Sequence, residues 1–350
     1  MFDYNKYMNF PINKKSKNSL LVSRIIPGIV LGVLAIAIIA LFRLSLFTFN
    51  QQDSTLKIVL QSVSVVIFSV IVFWSGLELS KAFYRNIYLS LLSAIIFTFF
   101  IIFPSVGLEN KVWFSNPDIV KTSPLTNILF NHQKWLYFII SSLFFVILFI
   151  LIRMIQNQNR LMRQIINKSL ILFICYIILY LFFNSFVILN AQEAGLQKII
   201  LFVLIAISHD MGGFFGGKLL GNKFIKIKLA PNISPKKTYE GAIVGVLVAL
   251  IISIVFLISY NVTFFKEPTL VNQYFFLSDV ANPITSNSII LAFLIMAPIS
   301  ALVGDLFFSF IKRVNEIKDF SKIFLGHGGL LDRLDSIAFV FVLWSMFASF

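Results

Sequence analysis

Residues 242–260 read AIVGVLVALIISIVFLISY, nineteen residues with no charge and no proline. At 1.5 Å per residue such a helix is about 28 Å long, close to the hydrocarbon thickness of a bilayer. Inside lipid each backbone N–H and C=O must be satisfied within the segment, so the stretch is read as a membrane-crossing helix. Eight further predominantly apolar runs are read the same way: 25–41, 58–77, 87–106, 135–152, 170–189, 199–215, 289–310 and 330–350. Composition agrees, with 58% hydrophobic residues, 13% charged residues and a mean hydropathy of +0.90, whereas soluble domains carry about twice that charged fraction. The expected fold is therefore all-α, a polytopic membrane protein with about nine transmembrane helices.

The net charge of +14 is spread between the apolar runs instead of gathering on one surface. That pattern argues for membrane orientation and anionic headgroups over nucleic acid as the partner. Of the 29 basic residues, 22 fall in the N-terminal arm and in the loops after the second, fourth, sixth and eighth runs, counting Arg333. The positive-inside rule then puts the N-terminus and those loops in the cytoplasm. Three regions are expected: a cytoplasmic arm at 1–24, N-terminal transmembrane helices over 25–198, and a C-terminal catalytic region with cytoplasmic loops over 199–350. The arm is polar and basic and lacks a convincing small-residue cleavage site, so it is read as uncleaved. The one cysteine, Cys175, lies in an apolar run, which excludes an intrachain disulfide and a cysteine metal site.

Charged residues concentrate in the second half. At the end of the eighth run Asp305, Ser309 and Lys312 are spaced i, i+4, i+7 and share a helical face. A carboxylate within a span costs at least ~2.5 kcal/mol on insertion scales, so it is expected to face a partner or a wet cavity. An Asp305–Lys312 pair joining two helices is the plain alternative. Further on, Gly326, Gly328 and Gly329 surround His327 and leave amides open to an anion. Asp332, Asp335 and Ser336 then follow on one helical face, surrounded in sequence by Lys312, Arg313, Lys318 and Arg333. Acids suited to a hard cation, interleaved with bases suited to phosphate oxygens, are what phosphoryl or nucleotidyl transfer requires.

The order Ser309-x-Ile311-Lys312-Arg313, Lys318-Asp319-x-Ser321, His327-Gly328-Gly329-Leu330-x-Asp332-Arg333-Leu334-Asp335 resembles the signature of the phosphatidate cytidylyltransferase (CDP-diglyceride synthase) family. Two further blocks, Asp210-Met211-Gly212-Gly213-Phe214-Phe215-Gly216-Gly217-Lys218 and Ser234-Pro235-Lys236-Lys237-Thr238-Tyr239-Glu240-Gly241, are similar to segments of the same family. Leu325 stands where the family usually has Pro, Phe214 where it has Tyr, and Tyr239 where it has Trp. The likeness covers residues 208–336.

The resemblance implies transfer of the cytidylyl group of CTP to phosphatidate, giving CDP-diacylglycerol and pyrophosphate for phospholipid synthesis at a bacterial cell membrane. It implies Mg²⁺, held by Asp305 and Asp332 with Asp335 and Asp319 as lesser candidates, and leaves open a second, monovalent ion. Lys312, Arg313 and Arg333 are expected at phosphate oxygens beside Asp305 and Asp332. Ser309, His327, Ser234, Lys236, Lys237 and Thr238 are expected at substrate. Asp210 stands equally for substrate contact or for helix packing. A homodimer with membrane lipids as surroundings is implied, with no nucleic-acid partner. A prenol kinase, a cation-coupled transporter and a lipid-binding scaffold are the competing readings. Transporters usually place their acids near the midplane of paired repeats, and no repeat is visible here.

Overall fold

A computed structural model describes residues 26–48, 54–84, 86–107, 112–114, 132–156, 162–192, 195–264, 283–321 and 328–347. The N-terminal arm 1–24 and His327 lie outside the described residues. Among the described residues nine α-helices run in order: α1 (Ile26–Arg43), α2 (Ser54–Phe83), α3 (Ile87–Val106), α4 (His132–Gln156), α5 (Met162–Ala191), α6 (Gly195–Leu219), α7 (Tyr239–Phe264), α8 (Pro283–Val314) and α9 (Leu331–Phe347). Eight are long and apolar enough to cross a membrane. The ninth, α9, has 17 described residues, about 25 Å of helix, shorter than the expected 330–350. A π-helical turn, Leu44–Thr48, extends α1. The chain is an all-α, multi-pass membrane protein.

Most helices outrun the apolar stretches that announce them. Hydropathy stops at the first charges, whereas the hydrogen-bond ladder continues until a cap ends it. Thus α2 reaches Phe83 and carries Glu78 inside the helix, and His132, three residues before the apolar run at 135–152, opens α4.

Helix α5 is the axis of the bundle. It is apolar all round, as a helix enclosed by others must be, and buries Leu172, Cys175, Tyr176, Leu179 and Phe183. Cys175 is packed, with no exposure. Edge-to-face pairs such as Phe42–Phe68 and Phe202–Phe341 fill the space between helices. The outer faces are apolar too: Ile243, Leu247, Ile251 and Val255 form an exposed stripe along α7, the surface that lipid covers. Many hydroxyls within spans bond their own helix, Ser69 donating to the Val65 carbonyl and Thr98 to that of Ala94.

Two close approaches position the functional end. Glycines let α6 and α7 touch backbone to backbone: a Cβ on Gly241 would lie 2.8 Å from the Gly213 carbonyl, and one on Gly245 2.7 Å from that of His209. Small residues at such spacing are how membrane helices come together. Likewise a Cβ on Gly304 would lie 2.4 Å from the Asp335 carbonyl, so α8 and α9 meet next to Asp305.

Between α6 and α7 stands a small antiparallel hairpin, β1 (Lys228–Ala230) and β2 (Ser234–Thr238), with Lys228 opposite Thr238 and Ala230 opposite Ser234. It ends where Thr238 Oγ1 accepts the Gly241 N–H, an N-cap for α7. Helix α8 ends in a Schellman-type turn. Glu316 takes φ 59° and the Ile317 N–H reaches back to the Lys312 carbonyl at 2.9 Å. The turn sends the chain back toward α9.

Candidate functional site

Three helix ends and the hairpin converge. Asp305 projects from the last turns of α8, where Ser309 one turn on donates to its Oδ1 at 3.4 Å. Its Oδ2 is ion-paired with Lys237 of β2. The hairpin is held in place for this contact by Arg313, whose Nε donates to the Ile233 carbonyl at 3.1 Å and whose other nitrogen donates to Ile317 at 3.2 Å. Strand alternation sends Lys236 to the opposite side from Lys237, and Lys236 is exposed.

A second pair lies deeper. Lys312 Nζ is 2.8 Å from Asp332 Oδ1, with side-chain exposures of 11% and 8% against 24% and 23% for Lys237 and Asp305. The ammonium of Lys312 also lies 5.6 Å over the Phe320 ring. The upper pair is open to an incoming ligand, and the lower one is enclosed.

Next to these pairs, Asp335 is within electrostatic reach of Asp305, Asp210 and Lys312. Asp210, half-exposed in the second half of α6, accepts from Ser336 Oγ at 3.3 Å and stands 3.2 Å from His209 Nδ1. The site thus gathers Asp210, Asp305 and Asp335 with Ser309, Ser336, Lys237 and Lys312. The glycines beside Asp210 serve helix packing, and the carboxylate itself belongs to the site.

The Gly-rich turn behaves differently from the expectation of free amides. Asp332 Oδ2 accepts from Gly329 N at 2.9 Å and from Phe320 N at 3.0 Å. Glu78 of α2 accepts from Leu330 N at 3.0 Å and Leu331 N at 2.9 Å. The amides at 329–331 are therefore closed by the protein's own carboxylates, and no anion is needed to satisfy them. Gly328 takes φ +80°, and a Cβ there would press on Asp332 Oδ2 at 2.8 Å, which is why glycine stands at that position.

Of the other residues singled out from sequence, Arg333 and Asp319 are exposed, on the first turn of α9 and on the connection before it. Asp319 makes no ion pair among the described residues. Ser234 starts β2, and Thr238 is spent on capping α7. The residue that sequence reading missed is Glu78. Its signal was an acid flanked by Leu77 and Leu79 at the end of an apolar run, and an ionisable residue in a span is by default a functional one.

Hard-oxygen acids fit a hard cation. Among the described residues no three His, Cys, Asp or Glu converge as a complete ligand set. Mg²⁺ does not need one, since it is usually bound through one or two carboxylates, water and substrate phosphates. The ammonium of Lys237 on Asp305 marks a place where the carboxylate already accommodates positive charge.

A bundle of membrane helices whose acids, hydroxyls and lysines meet at one end defines a polytopic membrane protein with a charged site at that end. A family model described as the cytidylyltransferase family matches residues 109–350, and the chain belongs to that family. It is similar to the phosphatidate cytidylyltransferase of Rickettsia bellii (strain RML369-C), 38% identical over 173 residues, 49% of this chain and 66% of that protein. That of Rickettsia typhi (strain ATCC VR-144 / Wilmington) is 36% identical over 207 residues, covering 57% and 81%. That of Helicobacter pylori (strain ATCC 700392 / 26695) is 36% identical over 148 residues, covering 42% and 46%. The matches to the Rickettsia bellii and Helicobacter pylori proteins thus span less than two thirds of those relatives' length.

Proposed function

We propose that this protein transfers the cytidylyl group of CTP to phosphatidate, giving CDP-diacylglycerol and pyrophosphate. The observation that supports it best is the convergence of Asp305, Lys237, Ser309, Asp335, Asp210 and Lys312 at one end of α6, α8 and α9, in a chain of the cytidylyltransferase family.

In the reaction a phosphate oxygen of phosphatidate bonds to the α-phosphorus of CTP. The bond from that phosphorus to the bridging oxygen breaks, and pyrophosphate leaves with the electron pair. A phosphate monoester has a second pKa near ~6, so the nucleophile needs no dedicated base at neutral pH. The work is to bring two polyanions together and hold them in line.

Lys237 is placed to exchange Asp305 for a phosphate oxygen, since the pair is open and the hairpin that carries it is braced by Arg313. Lys312, fixed by Asp332, supplies a positive charge that does not move. Arg333 and Lys236, both exposed, meet the outer phosphates as they arrive. Mg²⁺ on Asp305, with Asp335 nearby, would supply charge neutralisation at the α-phosphate and the leaving group; Asp332, expected from sequence as a second ligand, has both oxygens taken by Lys312, Gly329 N and Phe320 N. We place this end of the bundle on the cytoplasmic side, where CTP is dissolved, and take the working form to be a homodimer.

The test is turnover by the purified protein in detergent micelles, with CTP labelled in the cytidine and phosphatidate as acceptor. Magnesium-dependent appearance of label in lipid with release of pyrophosphate is expected. Transfer of the γ-phosphate to a lipid alcohol, with no cytidine in the lipid, would mark a kinase and overturn the proposal.

A further inference from the structure

We infer that Glu78 is a positioning residue for this transfer, although it lies on α2, outside the residues 109–350 that the family model matches. The inference rests on the proposed function. Glu78 is 2% exposed. Its Oε1 accepts from Ser321 Oγ at 2.7 Å, from Leu330 N at 3.0 Å and from Trp74 Nε1 at 3.1 Å, and its Oε2 accepts from Leu331 N at 2.9 Å. The connection from α8 to α9 is thereby tied to one carboxylate at two places, midway at Ser321 and at its junction with α9, Leu330–Leu331.

Close approach of α2 is built in: a Cβ on Gly329 would lie 2.6 Å from Glu78 Oε2. The next residue along α9 is Asp332, which grips the same connection through Gly329 N and Phe320 N while pairing with Lys312. Glu78 and Asp332 therefore hold one turn from two sides, and the position of Lys312 and of the first turn of α9 depends on both. Glu78 touches no reacting group in this arrangement. Its effect passes through Asp332 and Lys312.

Four donors point at this carboxylate, so its chemistry is demanding. Glutamine offers one acceptor oxygen and an NH₂ that would face a buried N–H donor. Aspartate keeps both oxygens and falls one methylene short.

The experiment compares the full-length wild type with Glu78→Gln, Glu78→Asp and Ser321→Ala. It measures kcat per folded molecule, KM for CTP and for phosphatidate, and hydrogen exchange of the peptide 328–336. In Glu78→Gln, kcat is expected to fall about 10- to 100-fold, the cost of a small misplacement of catalytic groups. Both KM values should stay within about twofold, a split that marks loss of positioning. Exchange at 329–331 should quicken. Glu78→Asp should recover part of kcat, and Ser321→Ala should lose several-fold with the same KM pattern. Unchanged kcat per folded Glu78→Gln molecule, with only a lower melting temperature, overturns the inference. Should that variant fail to fold, Ser321→Ala decides, because it removes one bond of four, and unchanged kcat there overturns it as well. Absence of turnover in the wild type would instead overturn the proposed function, and exchange at 329–331 would report separately on whether Glu78 holds the turn.

Discussion

The carboxylate of Asp305 meets its lysine at a surface that water reaches, whereas Asp332 meets Lys312 in an enclosed setting and takes two backbone N–H groups as well. Their asparagine variants should therefore fail in different ways. Asp305→Asn is expected to lose about 10²-fold or more in turnover, with a stability change of at most about 1 kcal/mol, since a partly exposed ion pair contributes little. Combining it with Lys237→Ala should be hardly worse than either alone, because groups that act as a unit are non-additive. Asp332→Asn strands the Lys312 charge and should cost about 3–5 kcal/mol of stability together with activity. Activity and melting on the same preparations separate the two, and equal destabilisation by both would refute the division of roles. Magnesium with CTP should raise the wild-type melting temperature, by about 2.7 kcal/mol equivalent at a hundredfold excess over Kd. Asp305→Asn should lose that gain.

At the scale of elements, glycine placement decides how near the helices come. Gly304→Ala puts a methyl group 2.4 Å from the Asp335 carbonyl, so α8 and α9 must part beside Asp305, and both melting temperature and turnover are expected to fall. Gly32→Ala on α1 meets nothing within 4 Å and should stay within about 1 kcal/mol of wild type. Thermal melting with an activity assay checks the contrast, and a harmless Gly304→Ala would disprove the close-packing argument. Helix number and order were readable from apolar runs, because lipid imposes a length and a composition on every span. The i, i+4 contact of Ser309 with Asp305 was readable from helical periodicity for the same reason. Partnerships between elements were not. That Lys312 takes Asp332 and leaves Asp305 to Lys237 depends on where a hairpin stands. Glu78 escaped because the apolar run at 58–77 stops one residue before it, although the helix continues to Phe83.

For the molecule as a whole, the bias of basic residues makes a prediction about sidedness. Wild type should be silent toward membrane-impermeant thiol reagents in intact cells, since its single cysteine is buried. Lys226→Cys, exposed in the loop before the hairpin, should be shielded, and Thr269→Cys should react. Strong labelling at Lys226→Cys from outside would reverse the topology. The pairing of Lys237 with Asp305 and of Lys312 with Asp332 has a consequence at this scale too. In these two pairs the site is its own counter-ion. A stray orthophosphate gains nothing by approaching, since it must evict a tethered carboxylate from a lysine while the evicted acid repels it. A polyphosphate arriving with its own divalent cation would satisfy both partners of the Lys237–Asp305 pair at once, giving the lysine an oxygen and the carboxylate a metal. On the proposed function, such a site would screen the crowded anion pool of a cell by valence, before any base or acyl chain is inspected.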